Sequence, residues 1–316
     1  MTAGSRLAGT PEPMHTWPGF GGLTIAGDAW GNPRGPLVLL QHGGGQTRHA
    51  WKGTGQLLGA QGYYAIAFDA RGHGDSAWDS EGVYTQDVMV KDLQSVIAAI
   101  GGQRPVLVGA SMGGGTSLVA AGEHHVDATA LIMVDIAPHI ESEGVGKIQA
   151  FMSQKPEGFD SLEEVAQAIA SYQPQRARPK NLSGLVKNVR LGTDGKFHWH
   201  WDPKFRTGMR DLGRRELRLE NCARELRLPT MLVRGGLSDV LSEEGAQHFL
   251  TLCPQAEYVN VTDAGHMVAG DRNDVFGTSV IDFLLRTVPI AAKPIHPPYA
   301  GGASRLDPAG DINDVP

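Results

Sequence analysis

The chain has 316 residues, with 28 basic and 34 acidic side chains and a formal net charge of −6 at pH 7. That length allows two domains or one large α/β domain with an insertion, with a core large enough to need no staples; Cys222 and Cys253 are too few for a disulfide framework and form no Cys-x-x-Cys pair. The acidic balance and lack of a Lys/Arg run argue against a nucleic-acid partner, no apolar run approaches the ~18 residues of a membrane helix, and Met1 to His15 lacks the apolar centre of a signal peptide, so a cytoplasmic protein is expected.

In chain order, residues 37–40, 64–68, 106–108, 131–134 and 231–233 are continuous apolar runs, the pattern of strands buried on both faces. Glycines cluster just after most of them, at 43–45, 72 and 74, 109 with 113–115, and 235–236. Between the runs, 85–100 places Val88, Leu93, Val96 and Ile100 near one helical face, and 242–252 and 274–288 behave similarly. Such alternation predicts a mostly parallel sheet with helices on both faces and reactive residues in loops at the strand C-termini.

The alternation stops between about 138 and 225. There Ser161-Leu162-Glu163-Glu164 is a capping box opening a helix at 162–171, and 146–153 and 184–191 read as further short helices. Thr193 to Lys196 is a turn leading into Phe197-His198-Trp199-His200-Trp201, whose alternation puts three aromatics on one face. The chain is accordingly divided into an N-terminal extension (1–16), a core domain in two parts (17–138 and 226–290), an inserted, mainly helical cap (139–225), and an extended Pro/Gly-rich tail (291–316).

Chemistry concentrates at five places. Residues 106–108 run into Gly109-Ala110-Ser111-Met112-Gly113 and then a helix, so Ser111 sits on a tight strand-to-helix turn where the Met112 N–H can face an oxyanion. The loop His42-Gly43-Gly44-Gly45-Gln46 follows an earlier strand; Gly44 is the choice for a second oxyanion N–H, and His42 is read as a brace for the loop. Gln46 either supports the oxyanion or orders that loop. A serine nucleophile needs a base and an orienting carboxylate. His266, after the run 257–261, is the base, and Asp239, after Gly235 and Gly236, is the preferred acid. The glycine pair is expected to let that loop turn the carboxylate inward; Asp135, at the end of the run 131–134, is the competitor.

Together these residues resemble the α/β-hydrolase superfamily over about residues 19–288. The resemblance rests on His42-Gly43, Asp69-Ala70-Arg71-Gly72-His73-Gly74, the Ser111 elbow, Gly236-x-x-Asp239 and Gly265-His266. It implies a mostly parallel sheet of about eight strands beneath the cap. It also carries nucleophile, acid and base onto Ser111, Asp239 and His266, and the oxyanion donors onto Gly44 and Met112. Trp51 matches a position where relatives often hold a pocket tryptophan. A serine elbow argues against epoxide hydrolases, haloalkane dehalogenases and dienelactone hydrolases. Expected is a hydrolase of a small, largely apolar carboxylic ester or lactone, with Trp51, Gln46, Phe151, Met152 and Trp199 as candidate substrate contacts; Tyr172 and Met209 are further candidates for the pocket wall. A carbon–carbon bond hydrolase, a perhydrolase or haloperoxidase, and a non-catalytic receptor on the same fold are the alternatives. No metal or organic cofactor is implied. His198 and His200 have the i, i+2 spacing of ligands on a strand but lack evident partners, and Arg71 and His73 are expected to hold their loop together.

Overall fold

The computed structural model describes residues 4–172, 182–208, 212–268 and 273–290, except the side chains of residues 206–208, 212, 273 and 274. The apolar runs become the centre of an eight-stranded sheet. Its strands are β1 (His15–Pro18), β2 (Thr24–Trp30), β3 (Leu37–Gln41), β4 (Tyr64–Phe68), β5 (Val106–Ala110), β6 (Ala130–Val134), β9 (Thr230–Gly235) and β10 (Glu257–Val261), in the order β1-β2-β4-β3-β5-β6-β9-β10. β1 and β2 are antiparallel to their neighbours; the remaining pairs, from β4 to β10, are parallel.

Alternating side chains of each central strand feed two cores. Leu37, Leu39, Leu107 and Leu131 join Leu93 of α2 (Gln86–Ala99) and Leu118 of α3 (Met112–Gly122) on one face. Val38, Leu40, Val108 and Ile132 join Leu58 of α1 (Lys52–Gln61) and Phe276 and Phe283 of the last helix, Asn273–Thr287, on the other. This double burial explains why the strands read as unbroken apolar runs.

Between β6 and β9 the chain forms α4 (Ser142–Met152), α5 (Leu162–Tyr172), the small hairpin β7 (Val189–Leu191) and β8 (Phe197–Trp199), and α6 (Leu212–Glu225). The Ser161 hydroxyl caps α5, accepting the Glu164 N–H at 3.3 Å. The stretch expected as a helix over 184–191 instead splits into a 3-10 turn, Leu182–Asn188, and strand β7, because Val189 to Leu191 pair with β8. Leu7 packs against this insertion, and Ser5 bridges to Leu191. α6 turns Leu219, Cys222 and Ala223 into the sheet core beside α3, so the last helix of the predicted cap packs on the core. The second core helix beyond it, α7 (Glu243–Leu252), is capped by Ser242 as its sequence suggests. The predicted tail 291–316 and Met209 lie outside the described residues.

Candidate active site

Ser111 follows β5 and caps α3 with φ 48° and ψ −111°, backbone angles a side-chain-bearing residue rarely adopts. Its hydroxyl makes no capping bond. The turn closes this tightly because Gly109 lies against the Gly113 backbone and Gly113 against Gln41; a Cβ at either place would enter the neighbouring main chain. Ser111 therefore opens into a cavity of about 870 Å³ that His266 also lines.

His266 projects from the loop after β10. Its Nδ1–H donates to Oδ2 of Asp135 at 2.6 Å. Asp135, 1% exposed, follows β6 with φ 51°, and also accepts the Gly235 N–H at 2.8 Å and the Ser238 hydroxyl. This corrects the expected acid. Asp239 is half exposed and holds Lys147 Nζ at 3.1 Å on the outside of α4. Two packing facts explain the reversal. Gly144 of α4 lies directly against the Asp239 carbonyl, fixing the local chain. Gly235 and Gly236 are small because the Gly265 and Thr262 backbones lie against them, so the glycine pair admits the histidine loop rather than freeing Asp239 to swing inward. The residue of that loop that does turn inward is Ser238.

The loop from His42 to Gln46 is held by its own polar groups. The Gly43 N–H donates to Gln46 Oε1 at 2.9 Å and the Gly45 N–H to His73 Nε2 at 3.1 Å, and the Gln46 amide reaches Met267 beside His266. The Gly44 N–H has no acceptor among the described residues, and Gly44 lines the cavity. Met112 is the first residue of α3, where backbone N–H groups have no intrahelical acceptor. Gln46 thus orders the loop, one of its two expected roles.

Three buried imidazoles brace this region. His42 donates Nδ1–H to the Gly43 carbonyl (2.8 Å) and accepts the Ala70 N–H (2.9 Å). His73 faces the Arg71 carbonyl with Nδ1 and accepts from Gly45; His200 accepts the Gly74 N–H (2.9 Å) and faces the Gly45 carbonyl (3.3 Å). Each neutral ring offers one donor and one acceptor, so every contact is satisfied; a proton added to any of them would oppose N–H to N–H. Burial lowers all three, with His73 pushed down to about 3 and His200 well below its ordinary value. Because the folded values lie below the unfolded ~6.5, the unfolded chain binds more protons between them, and stability falls as pH drops below that value. Urea unfolding should show stability falling from pH 6.5 to 5, with a slope that approaches about 1.4 kcal/mol per pH unit for His73 as its unfolded imidazole becomes fully protonated, and with His42 and His200 adding in the same direction; a flat profile over that range would contradict the neutral clamp. His200 and Phe205, whose ring meets His73 edge-on at 4.7 Å, were not assigned to the site from sequence. Both come from the insertion, and only tertiary packing brings them here.

The five candidate substrate contacts all line the cavity. Met152 lies over the 42–46 loop, its Sδ 3.8 Å from where a Cβ on Gly44 would stand. Phe151 stacks on Tyr172 (4.5 Å) and Trp199 on Trp201 (4.8 Å), forming an aromatic wall. Trp51 is 1% exposed and packs on Phe276, so most of it belongs to the core. His198 meets Asp194 at 2.9 Å near the surface while His200 faces inward, so the two do not share a site. Arg71 holds Asp92 through two bonds of 2.5 and 2.7 Å, bracing its loop as expected.

The family model described as the alpha/beta hydrolase fold matches residues 36–272. The chain belongs to the α/β-hydrolase family. It is 26% identical over 249 residues to the esterase Rv0045c of Mycobacterium tuberculosis, covering 77% of this chain and 80% of that protein. It is 27% identical over 253 residues to a 3-hydroxybutyrate-oligomer hydrolase of Cupriavidus necator, covering 75% and 85%. The crystal structure of E-2-(acetamidomethylene)succinate hydrolase superposes with a TM-score of 0.73 over 85% of this chain and 98% of that one, at 22% identity, a likeness of fold. Among the described residues no helix is long and apolar enough to cross a membrane.

Proposed function

We propose that this α/β-hydrolase cleaves small carboxylic esters or lactones through an acyl-enzyme on Ser111. The observation that carries the reading is the bond from His266 to buried Asp135 beside a strained serine facing the same cavity. The Ser111 oxygen attacks the carbonyl carbon while its proton passes to Nε2 of His266. Asp135 accepts the Nδ1–H, fixes the tautomer and stabilises the imidazolium. The N–H groups of Gly44 and Met112 hold the negative oxygen of the tetrahedral intermediate. Its collapse breaks the carbon–oxygen bond, and His266 returns the proton to the departing alcohol. Water then repeats the sequence, with His266 as base, to release the acid.

The esterase relatives support the reaction class, and the insertion between β6 and α6 is read as a cap because Phe151, Met152 and Trp199 from it line the cavity that Ser111 also lines. The test is steady-state hydrolysis of p-nitrophenyl acetate. Many turnovers per chain are expected; release of a single equivalent followed by arrest would favour the receptor alternative and sink the proposal.

A further inference from the structure

Resting on the esterase reading, the inference concerns which esters fit. The described residues that line the cavity include Lys187, Arg214, Arg215 and Arg218, and no Asp or Glu. That is a one-sided charge distribution in a protein whose formal net charge is −6. Cations in an enclosed, low-dielectric space focus a positive potential on whatever enters.

The four are not equivalent. Arg218 is occupied by Glu123 and Asp87, both at 2.6 Å, and Arg214 is also partnered. Arg215 makes no hydrogen bond or ion pair among the described residues; Glu216, the carboxylate that acts on it electrostatically, is taken by His139 at 2.9 Å. Burial lowers its guanidinium below the ordinary value, the penalty of holding a partly buried charge without an anion. Its Nη2 stands 3.4 Å from where a Cβ on Gly115 would be, and the side-chain amide nitrogen of Gln86 stands 2.9 Å from that point. Gln86 likewise has no side-chain hydrogen bond among the described residues, and both residues line the cavity. A Cβ at 115 would crowd both side chains, so glycine there lets the two nitrogens converge against α3 at the cavity wall. Since the Gly115 N–H donates to the Ser111 carbonyl at 2.9 Å, this pair of donors stands about one turn of α3 from the nucleophile.

We propose that Arg215 and Gln86 form a carboxylate subsite, so that the preferred substrates are esters carrying a carboxylate a short spacer away from the scissile carbonyl. A guanidinium and an amide present coplanar N–H donors that match the two oxygens of a carboxylate. One helical turn is about 5.4 Å, which corresponds to a spacer of roughly three to four carbon–carbon bonds. Hemiesters of four- and five-carbon dicarboxylic acids have that reach. The aromatic wall of Phe151 and Trp199 then faces the uncharged remainder of the substrate.

Two measurements test this. In a pH-stat assay, kcat/KM for monoethyl glutarate is expected to exceed that for ethyl pentanoate by at least about tenfold, and the ratio should fall to about one in Arg215→Gln, with Arg215→Lys between. A wild-type ratio near one, or a ratio unmoved by Arg215→Gln, overturns the subsite. Calorimetric binding of glutarate against pentanoate to the wild-type chain needs neither turnover nor a folded variant. Glutarate is expected to bind at least about tenfold more tightly, and equal affinities overturn the proposal. Failure of the subsite alone would leave p-nitrophenyl acetate turnover intact, whereas failure of the esterase reading would abolish turnover without altering glutarate binding.

Discussion

Asp135→Asn should lower kcat by roughly 10³ to 10⁴ on any ester substrate, while Asp239→Asn stays within about threefold of the parent. Asparagine keeps the shape of the side chain but presents an N–H₂ or a neutral oxygen to Nδ1 of His266. It favours the wrong tautomer and gives no charge to the imidazolium formed during attack. The substitution also disturbs the bonds from Gly235 and Ser238, and an unsatisfied buried polar group costs about 1–3 kcal/mol, so native circular dichroism must be verified. At Asp239 the lost contact is an ion pair with a half-exposed Lys147, and solvent screens such exposed pairs so that they contribute little. The comparison of the two variants on one ester decides the assignment; a crippled Asp239→Asn beside a near-normal Asp135→Asn would reverse it.

Ser111→Ala should lose about 10⁵ to 10⁶ in kcat, leaving only what binding and the two oxyanion donors supply, by analogy with serine proteases. Retention of a tenth of the activity would remove Ser111 from the nucleophile role. A companion substitution separates chemistry from stability. Because Ser111 holds φ 48° and ψ −111°, a conformation that costs on the order of 1–3 kcal/mol for a residue with a Cβ, Ser111→Gly should be equally inactive but unfold at a higher urea concentration than Ser111→Ala.

The parts of the molecule that the sequence makes legible are those whose cause is local. Continuous apolar runs mark strands buried on two faces, and the small residues at Gly109 and Gly113 mark an elbow because main chain presses on them. Asp135 is different. Its role depends on a left-handed backbone angle and on which of two neighbouring strand ends faces the histidine loop, and neither leaves a local trace. The Gly235-Gly236 pair does leave one, but a glycine signal reports close approach without saying of what. On sequence alone the pair suggests freedom for Asp239, whereas the structure uses it to seat Thr262 and Gly265. His200 and Arg215 are further cases: each is distant in sequence from the groups it faces, Gly45 and Gly74 for the one, Gly115 and Gln86 for the other.

The proposed mechanism stands on Ser111 as a nucleophile activated by His266 and Asp135. Labelling by a fluorophosphonate followed by peptide mass mapping reads it directly, because the probe reports both the modified atom and the rate of its activation. A single adduct on the peptide carrying Ser111 is predicted, forming at the parent rate in Asp239→Asn and far more slowly in Asp135→Asn. An adduct on another residue, no adduct at all, or equal labelling rates in the two aspartate variants would contradict it.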